Sequence, residues 1–273
     1  MTPEIFAEKI GLSAGATEVA LAFTVSDDES ARLRDLFLND YDKFETEIKA
    51  KDDPNRYALG LIFHWAVESM KLWQDSGVPE EIAIDTMKDI TIWSTRCFDR
   101  TGKVGLIEWR WFIIHITVKL FRLGRLQFEP IENREDIIFP DGTFVPKGKS
   151  VLSVHIPRGD GFNPDSIRES FEAANPFFEK YFGTTYDTYV CTSWMLAPQL
   201  EDMISPASSL ADFRRWFTIF GEHTGYSQAE EYVFLEKLED KSKYPEDTSL
   251  QRNFKKFLLA GGEMGMGKAA GRF

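Results

Sequence analysis

The chain is predicted to fold in the α+β class, with an α/β-type sheet and flanking helices over its C-terminal half and an all-α region before it. Up to about residue 118 apolar residues recur every three to five positions, the period of helices that bury one face. From Leu120 the period changes to short alternating or β-branched runs, punctuated by Gly and Pro and interleaved with longer helical patterns. Of the 273 residues, 43% are hydrophobic and 14% aromatic, enough for real cores rather than a disordered chain. The expected domains are 1–118, helical, and 119–273, mixed.

In the first part a helix is expected over Glu29–Lys49, carrying Leu33, Leu36, Phe37, Tyr41 and Phe44 on one side. Asp53-Pro54 opens another, with Leu61, Trp65, Leu72 and Trp73 facing inward and an end near Gly77. Pro79 starts a third, whose stripe is Ile82, Met87, Ile90, Trp93 and Cys97, and a fourth is expected over Val104–Val118 after the turn at Thr101-Gly102.

In LFRLGRLQFEPI the apolar phase flips at Gly124, as a glycine β-bulge in one strand would make it. DIIFPDGTFVP reads as a hairpin turning at Asp141-Gly142, and SVLSVHIP as a strand ending at Pro157. A helix over Pro164–Phe182 follows, with Asn163 as N-cap, Ile167, Phe171, Ala174 and Phe178 inward, and a kink or split expected at Pro176. Next come a strand in TYVCTSWML, a short helix from Ser209, a strand at Phe217–Phe220 and a helix over Gln228–Glu239. Thr248-Ser249-Leu250-Gln251 is a capping-box pattern opening a last helix. The tail GGEMGMGKAAGRF is expected to be flexible or irregular. Its likeness to a nucleotide-binding loop fails, because Ala269 stands where Ser or Thr must follow Lys268.

The formal net charge of −12 argues against a broad nucleic-acid footprint. Cys97 and Cys191 lack metal-type spacing and read as free thiols of a reducing compartment, so no metal is expected. The N-terminus shows no secretory pattern, and the longest apolar stretch, Leu106–Leu120, is broken by Glu108, Arg110, His115 and Lys119. A soluble, cytoplasmic protein without a membrane partner is the expectation; the sequence does not indicate an oligomeric state.

Four segments, LFRLGRLQFE (120–129), SVHIPRGDGFNP (153–164), CTSWMLAPQL (191–200) and TSLQR (248–252), carry a resemblance to a family. The chain resembles bacterial N-acyltransferases in which an N-acyltransferase N-terminal helical domain (here 1–118) precedes a GNAT-like acyltransferase C-terminal domain (here 119–273). The resemblance implies an acyl-CoA cosubstrate, acetyl-CoA in the simplest case, and a small-molecule amine acceptor. It implies that Ile156, Arg158, Gly159, Gly161, Phe162 and Asn163 hold the coenzyme A pyrophosphate at a helix N-terminus, where unpaired amides and the helix dipole favour an anion. Against the superfamily's Gln/Arg-x-x-Gly-x-Gly/Ala pattern, Asn163 replaces the last small residue, and Asp160 adds a negative charge.

For catalysis, His155 shares a strand face with Ser153, opposite Leu152, Val154 and Ile156, and is a candidate general base; Glu129 is the other. Cys191 is open to two readings, an acyl-accepting nucleophile activated by His155 or a buried small hydrophobe. Arg125, Gln127, Ser193 and Trp194 are candidates for substrate binding, with Trp194 open to two readings, core or pocket wall. His64 and His115 read as packing residues, and His223 has no evident partner. Two alternatives stay open: a non-catalytic module of this fold that binds another small ligand or a protein partner, and a cysteine hydrolase built on Cys191 and His155.

Overall fold

The computed structural model describes residues 1–159, 161–224 and 228–273. The chain divides into two compact units, Met1–Leu123 with Pro157–Gly159, and Gly124–Ile156 with Asp160–Phe273.

The first unit is built of α1 (Pro3–Ile10), α2 (Ala14–Ala22), α3 (Asp27–Asn39), α4 (Tyr41–Lys49), α5 (Pro54–Asp75), α6 (Glu80–Met87), α7 (Asp89–Thr101) and the single turn α8 (Ile113–Ile116), and it ends in a short strand, β1 (Phe121–Leu123). Its core forms along α5, where Leu59, Ile62, Phe63, Trp65, Ala66 and Trp73 are buried. The Trp65 ring lies 5.3 Å from Phe37 and 6.1 Å from Phe44, so α3 and α4 pack on one side of it. The helix expected over Glu29–Lys49 is two helices, because Asp40 leaves helical geometry and its carboxylate accepts from the Lys43 N–H as a cap. The stripe starting at Pro79 likewise divides at Lys88, with Pro79 in the cap position.

The helix expected over Val104–Val118 is mostly absent. Only a 3₁₀ turn at Trp109–Phe112 and α8 form, and both Glu108 (φ 56°) and Val118 (φ 54°) adopt left-handed backbone that ends helical runs. The apolar side chains there serve a different purpose. Asp89 accepts from Trp111 Nε1 at 2.8 Å and pairs with His115 Nε2 at 3.0 Å, while His115 itself is fully buried. His115 is thus a packing residue, as is His64, whose ring pairs with the Ala20 carbonyl at 3.1 Å.

The second unit contains β2 (Leu126–Glu132), β3 (Ile137–Ile138), β4 (Phe144–Val145), β5 (Ser150–His155), α9 (Pro164–Phe182), β6 (Thr188–Ser193), α10 (Ser209–Arg214), β7 (Thr218–His223), α11 (Ala229–Val233), α12 (Ser249–Leu259) and β8 (Met266–Arg272). Within it the sheet order is β2-β5-β6-β8-β7. The pair β5–β6 is parallel and joined through α9, whereas β2–β5, β6–β8 and β8–β7 are antiparallel.

Register assigns every side chain to a face. Phe128, Leu152, Val154, Tyr189 and Cys191 lie toward α9, whose Phe171 ring sits 5.9 Å from Phe128 and 4.6 Å from Tyr189. The other face carries Ile131, Val151, Val190 and Ala270, covered by Ile137, Phe139 and Val145 of the β3–β4 hairpin. The hairpin turns at Asp141-Gly142 as expected, with Gly142 at φ 83°.

Several expectations for this unit are corrected. Gly124 (φ 74°) forms with Arg125 a two-residue turn between β1 and β2, not a bulge in one strand. The helix α9 is not split at Pro176, which lies inside one continuous helix. The strand β6 stops at Ser193, whose Oγ accepts from the Met195 N–H at 3.2 Å and opens a 3₁₀ turn. The expected helix over Gln228–Glu239 shortens to α11, with Leu235 at φ 72° just beyond it. The capping box of α12 forms, Thr248 and Gln251 exchanging side-chain to backbone bonds of 3.1 Å.

The largest correction concerns the glycine-rich tail. It is β8, an interior strand paired on both sides, to β6 and to β7. Its glycines answer to close approach: a Cβ on Gly267 would stand 2.0 Å from the Leu196 carbonyl oxygen, and one on Gly271 2.3 Å from Tyr189 Cζ.

Candidate active site

Two features of the sheet converge at the C-terminal end of β5. The first is a side-chain pair. In the β2–β5 ladder Gln127 is opposite His155 and Glu129 opposite Ser153, so Gln127, Glu129, Ser153 and His155 share the face away from α9. Across this diagonal Glu129 Oε2 and His155 Nε2 are 2.9 Å apart. Both side chains keep a fifth to a quarter of their surface open, enough for a proton to leave or arrive. The two residues that sequence reading offered as rival bases are therefore one hydrogen-bonded unit.

The second is a parting of strands. Cross-strand pairing between β5 and β6 is registered at Leu152–Tyr189 and Ser153–Val190, yet β5 continues to His155 and β6 to Ser193. Among the described residues no pairing between the two parallel strands is registered beyond Ser153–Val190, and His155 lies on that unregistered stretch of β5. Such unladdered amides and carbonyls are strong hydrogen-bonding groups that a bound ligand can satisfy.

The connection from β5 to α9 is braced from β2. Arg125 is buried; its Nε donates to the Gly161 carbonyl at 3.4 Å and its guanidinium lies 5.1 Å over the Phe162 ring. Its backbone N–H donates at 2.9 Å to Ser170 Oγ, which also accepts from the Leu126 N–H at 3.3 Å. The Phe162 ring packs 5.1 Å from Phe213 of α10. At the helix start Asn163 Oδ1 accepts from the Asp165 N–H at 2.9 Å, and the Asn163 N–H donates to the Gly161 carbonyl at 3.1 Å. Pro164 has no N–H, so part of the donor set at this helix N-terminus is committed. Gly159 and Gly161 are exposed, and a Cβ on either would meet nothing within 4 Å. Ile156 is half-buried and Arg158 is exposed. Asp160 lies outside the described residues.

A family model described as a GNAT-like C-terminal domain matches residues 120–272, and one described as an N-acyltransferase N-terminal domain matches residues 1–118. The chain belongs to this family. Solved structures agree on the fold. An acyltransferase in complex with decanoyl-CoA and teicoplanin superposes with a TM-score of 0.78 at 20% identity, covering 99% of this chain and 87% of that one. A mutant acyltransferase in complex with octanoyl-CoA gives 0.77 at 20% identity, and an acyltransferase in complex with decanoyl-CoA 0.77 at 21%, both with the same coverage of each chain. No curated protein matches the sequence.

In the GNAT-like domain the remaining candidates are dispersed. Cys191 follows Val190, the partner of Ser153, so it projects to the α9 face while His155 projects to the other. Burial pushes its thiol up to about 12. The pairing of Cys191 with His155 as nucleophile and base is therefore corrected: a sheet separates them, and a thiol so shifted supplies almost no thiolate at neutral pH. Ser193 caps the 3₁₀ turn on the same side, and Trp194 is buried in a cluster with Ala197, Leu200, Met203 and Phe254, a packing role rather than an open pocket wall.

Sequence reading missed Thr192 and Lys268. They are cross-strand partners on the His155 face; Thr192 is exposed and Lys268 pairs with Glu135 at 3.0 Å. Lys268 was hidden by the glycine-rich run that made β8 look irregular. Ser170, the anchor of the Arg125 turn, was within reach, since it falls at stripe spacing between Ile167 and Ala174.

Proposed function

We propose that the protein transfers an acyl group from an acyl-CoA to an amine, with the His155–Glu129 pair as its proton-handling unit. The observation that carries this reading is that pair, held at 2.9 Å beside the point where β5 and β6 part. The acyl-CoA supplies an activated thioester; the amine nitrogen bonds to its carbonyl carbon, the carbon–sulfur bond breaks, and coenzyme A leaves as the thiol. His155 takes the proton the amine must lose and passes it to the departing sulfur, while Glu129, paired with Nε2, orients the ring and stabilises the imidazolium. No covalent enzyme intermediate is required, in keeping with the position of Cys191. The exposed glycines of the β5–α9 connection leave room for the coenzyme's phosphates near Ile156, Arg158, Gly159, Gly161, Phe162 and Asn163. Arg125 braces that connection rather than meeting substrate.

The related acyltransferase complexes contain decanoyl-CoA, octanoyl-CoA and teicoplanin. Medium-chain acyl-CoAs and a glycopeptide amine are accordingly the first donor and acceptor proposed, ahead of acetyl-CoA and a small free amine. One observation favours a second reading, a module that binds another ligand without catalysis: the Asn163 cap already occupies the Asp165 amide. Thermal denaturation with coenzyme A, acetyl-CoA, octanoyl-CoA and decanoyl-CoA separates the two. Binding at a hundred times Kd stabilises by about 2.7 kcal/mol, which raises the Tm by several degrees. Absence of a shift with every coenzyme A species rejects acyl transfer in favour of the second reading.

A further inference from the structure

Gln127 is a polar residue in a place where the fold does not need one. It is 1% exposed on β2, and its Nε2 has no hydrogen-bond partner among the described residues. Buried donors are nearly always paired, so an orphan of this kind calls for an explanation, and an acceptor that arrives with a ligand supplies one. The position says which ligand. Gln127 is directly opposite His155 in the antiparallel ladder, and such residues project from one face with Cβ atoms about 5 Å apart. Two residues along the same strand is Glu129, the partner of His155. A neutral, buried amide donor thus lies beside the group that takes the amine's proton, on the same face of the sheet as His155 and one strand away from the β5–β6 seam.

We infer that the Gln127 side-chain amide donates to the carbonyl oxygen of the acyl thioester and stabilises the negative charge that oxygen gains as the amine attacks. The inference rests on the acyl-transfer reading above and adds a catalytic residue to it. An amide suits the task because it is uncharged: it neither repels a carbonyl oxygen, as a carboxylate would, nor pairs permanently with Glu129, as a lysine would. Buried in a site of low polarity, its dipole is oriented before the reaction begins. It also explains why the fold keeps an unpaired donor: the acceptor is present only when acyl-CoA is bound.

The test compares the full-length wild type with Gln127→Met, which keeps an unbranched chain of similar length and removes the donor. Two ligands are titrated without acceptor: octanoyl-CoA, and S-octyl-CoA, a thioether that lacks the carbonyl. The wild type should prefer octanoyl-CoA by up to about tenfold, the worth of one hydrogen bond, and the variant should lose that preference while binding S-octyl-CoA as before. With acceptor present, kcat of the variant should fall by about 10²- to 10³-fold, with a Tm equal to or above that of the wild type. An unchanged ligand preference together with an unchanged kcat overturns the inference while leaving acyl transfer intact. Failure of the wild type to bind either ligand overturns acyl transfer and this inference with it. If Gln127→Met does not fold, Gln127→Leu repeats the test, and if neither folds the amide serves the fold and the inference is wrong.

Discussion

Replacing Glu129 by Gln keeps the shape of the side chain and removes its charge, which isolates what that charge does for His155. At rest the two are joined by a 2.9 Å hydrogen bond. When His155 holds the amine's proton they become an ion pair with charge centres about 4 Å apart, an attraction of about 1 kcal/mol at the dielectric constant of water and about 4 kcal/mol at the effective value of about 20 near a protein surface. Both side chains retain a fifth to a quarter of their exposure, which argues for the lower half of that range. A loss of 1 to 2.5 kcal/mol is a fall of about 5- to 70-fold in kcat, at about 1.4 kcal/mol per factor of ten. His155→Ala removes the base itself and should cost about 10²- to 10⁴-fold. Because Glu129 acts through His155, the double variant should be no slower than His155→Ala alone. Initial rates of coenzyme A thiol release, at saturating acyl-CoA and amine, measure all three. Two independent losses that multiply in the double variant would refute the pairing and make Glu129 a separate catalytic group.

Three further outcomes follow from the structure. Gly267→Ala, which puts a Cβ against the Leu196 backbone carbonyl, should destabilise the protein by about 1–3 kcal/mol in urea unfolding; a flexible tail would show no change. Cys191→Ala should leave kcat within about twofold, and the native Cys191 thiol should stay unmodified by thiol reagents at pH 8, since burial holds its pKa near 12; rapid labelling of the folded protein would contradict its placement. Asp141 accepts from the Thr143 N–H, its main stabiliser, and pairs with Arg272 of β8, which together hold its carboxyl below the usual range. A depressed carboxyl contributes stability above its unfolded value of about 3.9 and loses it as pH falls through the lower folded value. Asp141→Asn should therefore lower the Tm at pH 7, with the difference closing below about pH 4; an equal difference at pH 3 would assign the effect to shape instead of charge.

What could be read from the sequence depended on whether periodicity carried the information. The long stripe of α5 and the capped start of α9 at Asn163-Pro164 declare themselves, because core burial and cap chemistry both leave residue-type signatures. The hairpin at Asp141-Gly142 does so through its turn residues. Where a single residue's backbone decides, the stripe runs on and hides the break, as at Asp40 and before Trp109. The strand β8 was illegible for a different reason. Period-two alternation needs side chains, and Gly267 and Gly271 lack them because neighbouring atoms occupy the space. The site divides in the same way. His155 and Glu129 were identifiable as polar residues on strand faces, but their 2.9 Å contact depends on cross-strand register, which no local pattern encodes. Register also separates Cys191 from His155, two residues that sequence alone allows to meet.

The central claim is that His155, held by Glu129, takes the proton from an amine attacking an acyl-CoA. The most direct test is mass spectrometry of the products formed from octanoyl-CoA and teicoplanin by the wild-type protein and by His155→Ala. The wild type should form an octanoylated acceptor in step with free coenzyme A, and the variant about 10²- to 10⁴-fold less at equal folded concentration. Undiminished product from His155→Ala, or no transfer by the wild type to this or any other amine, would contradict the claim.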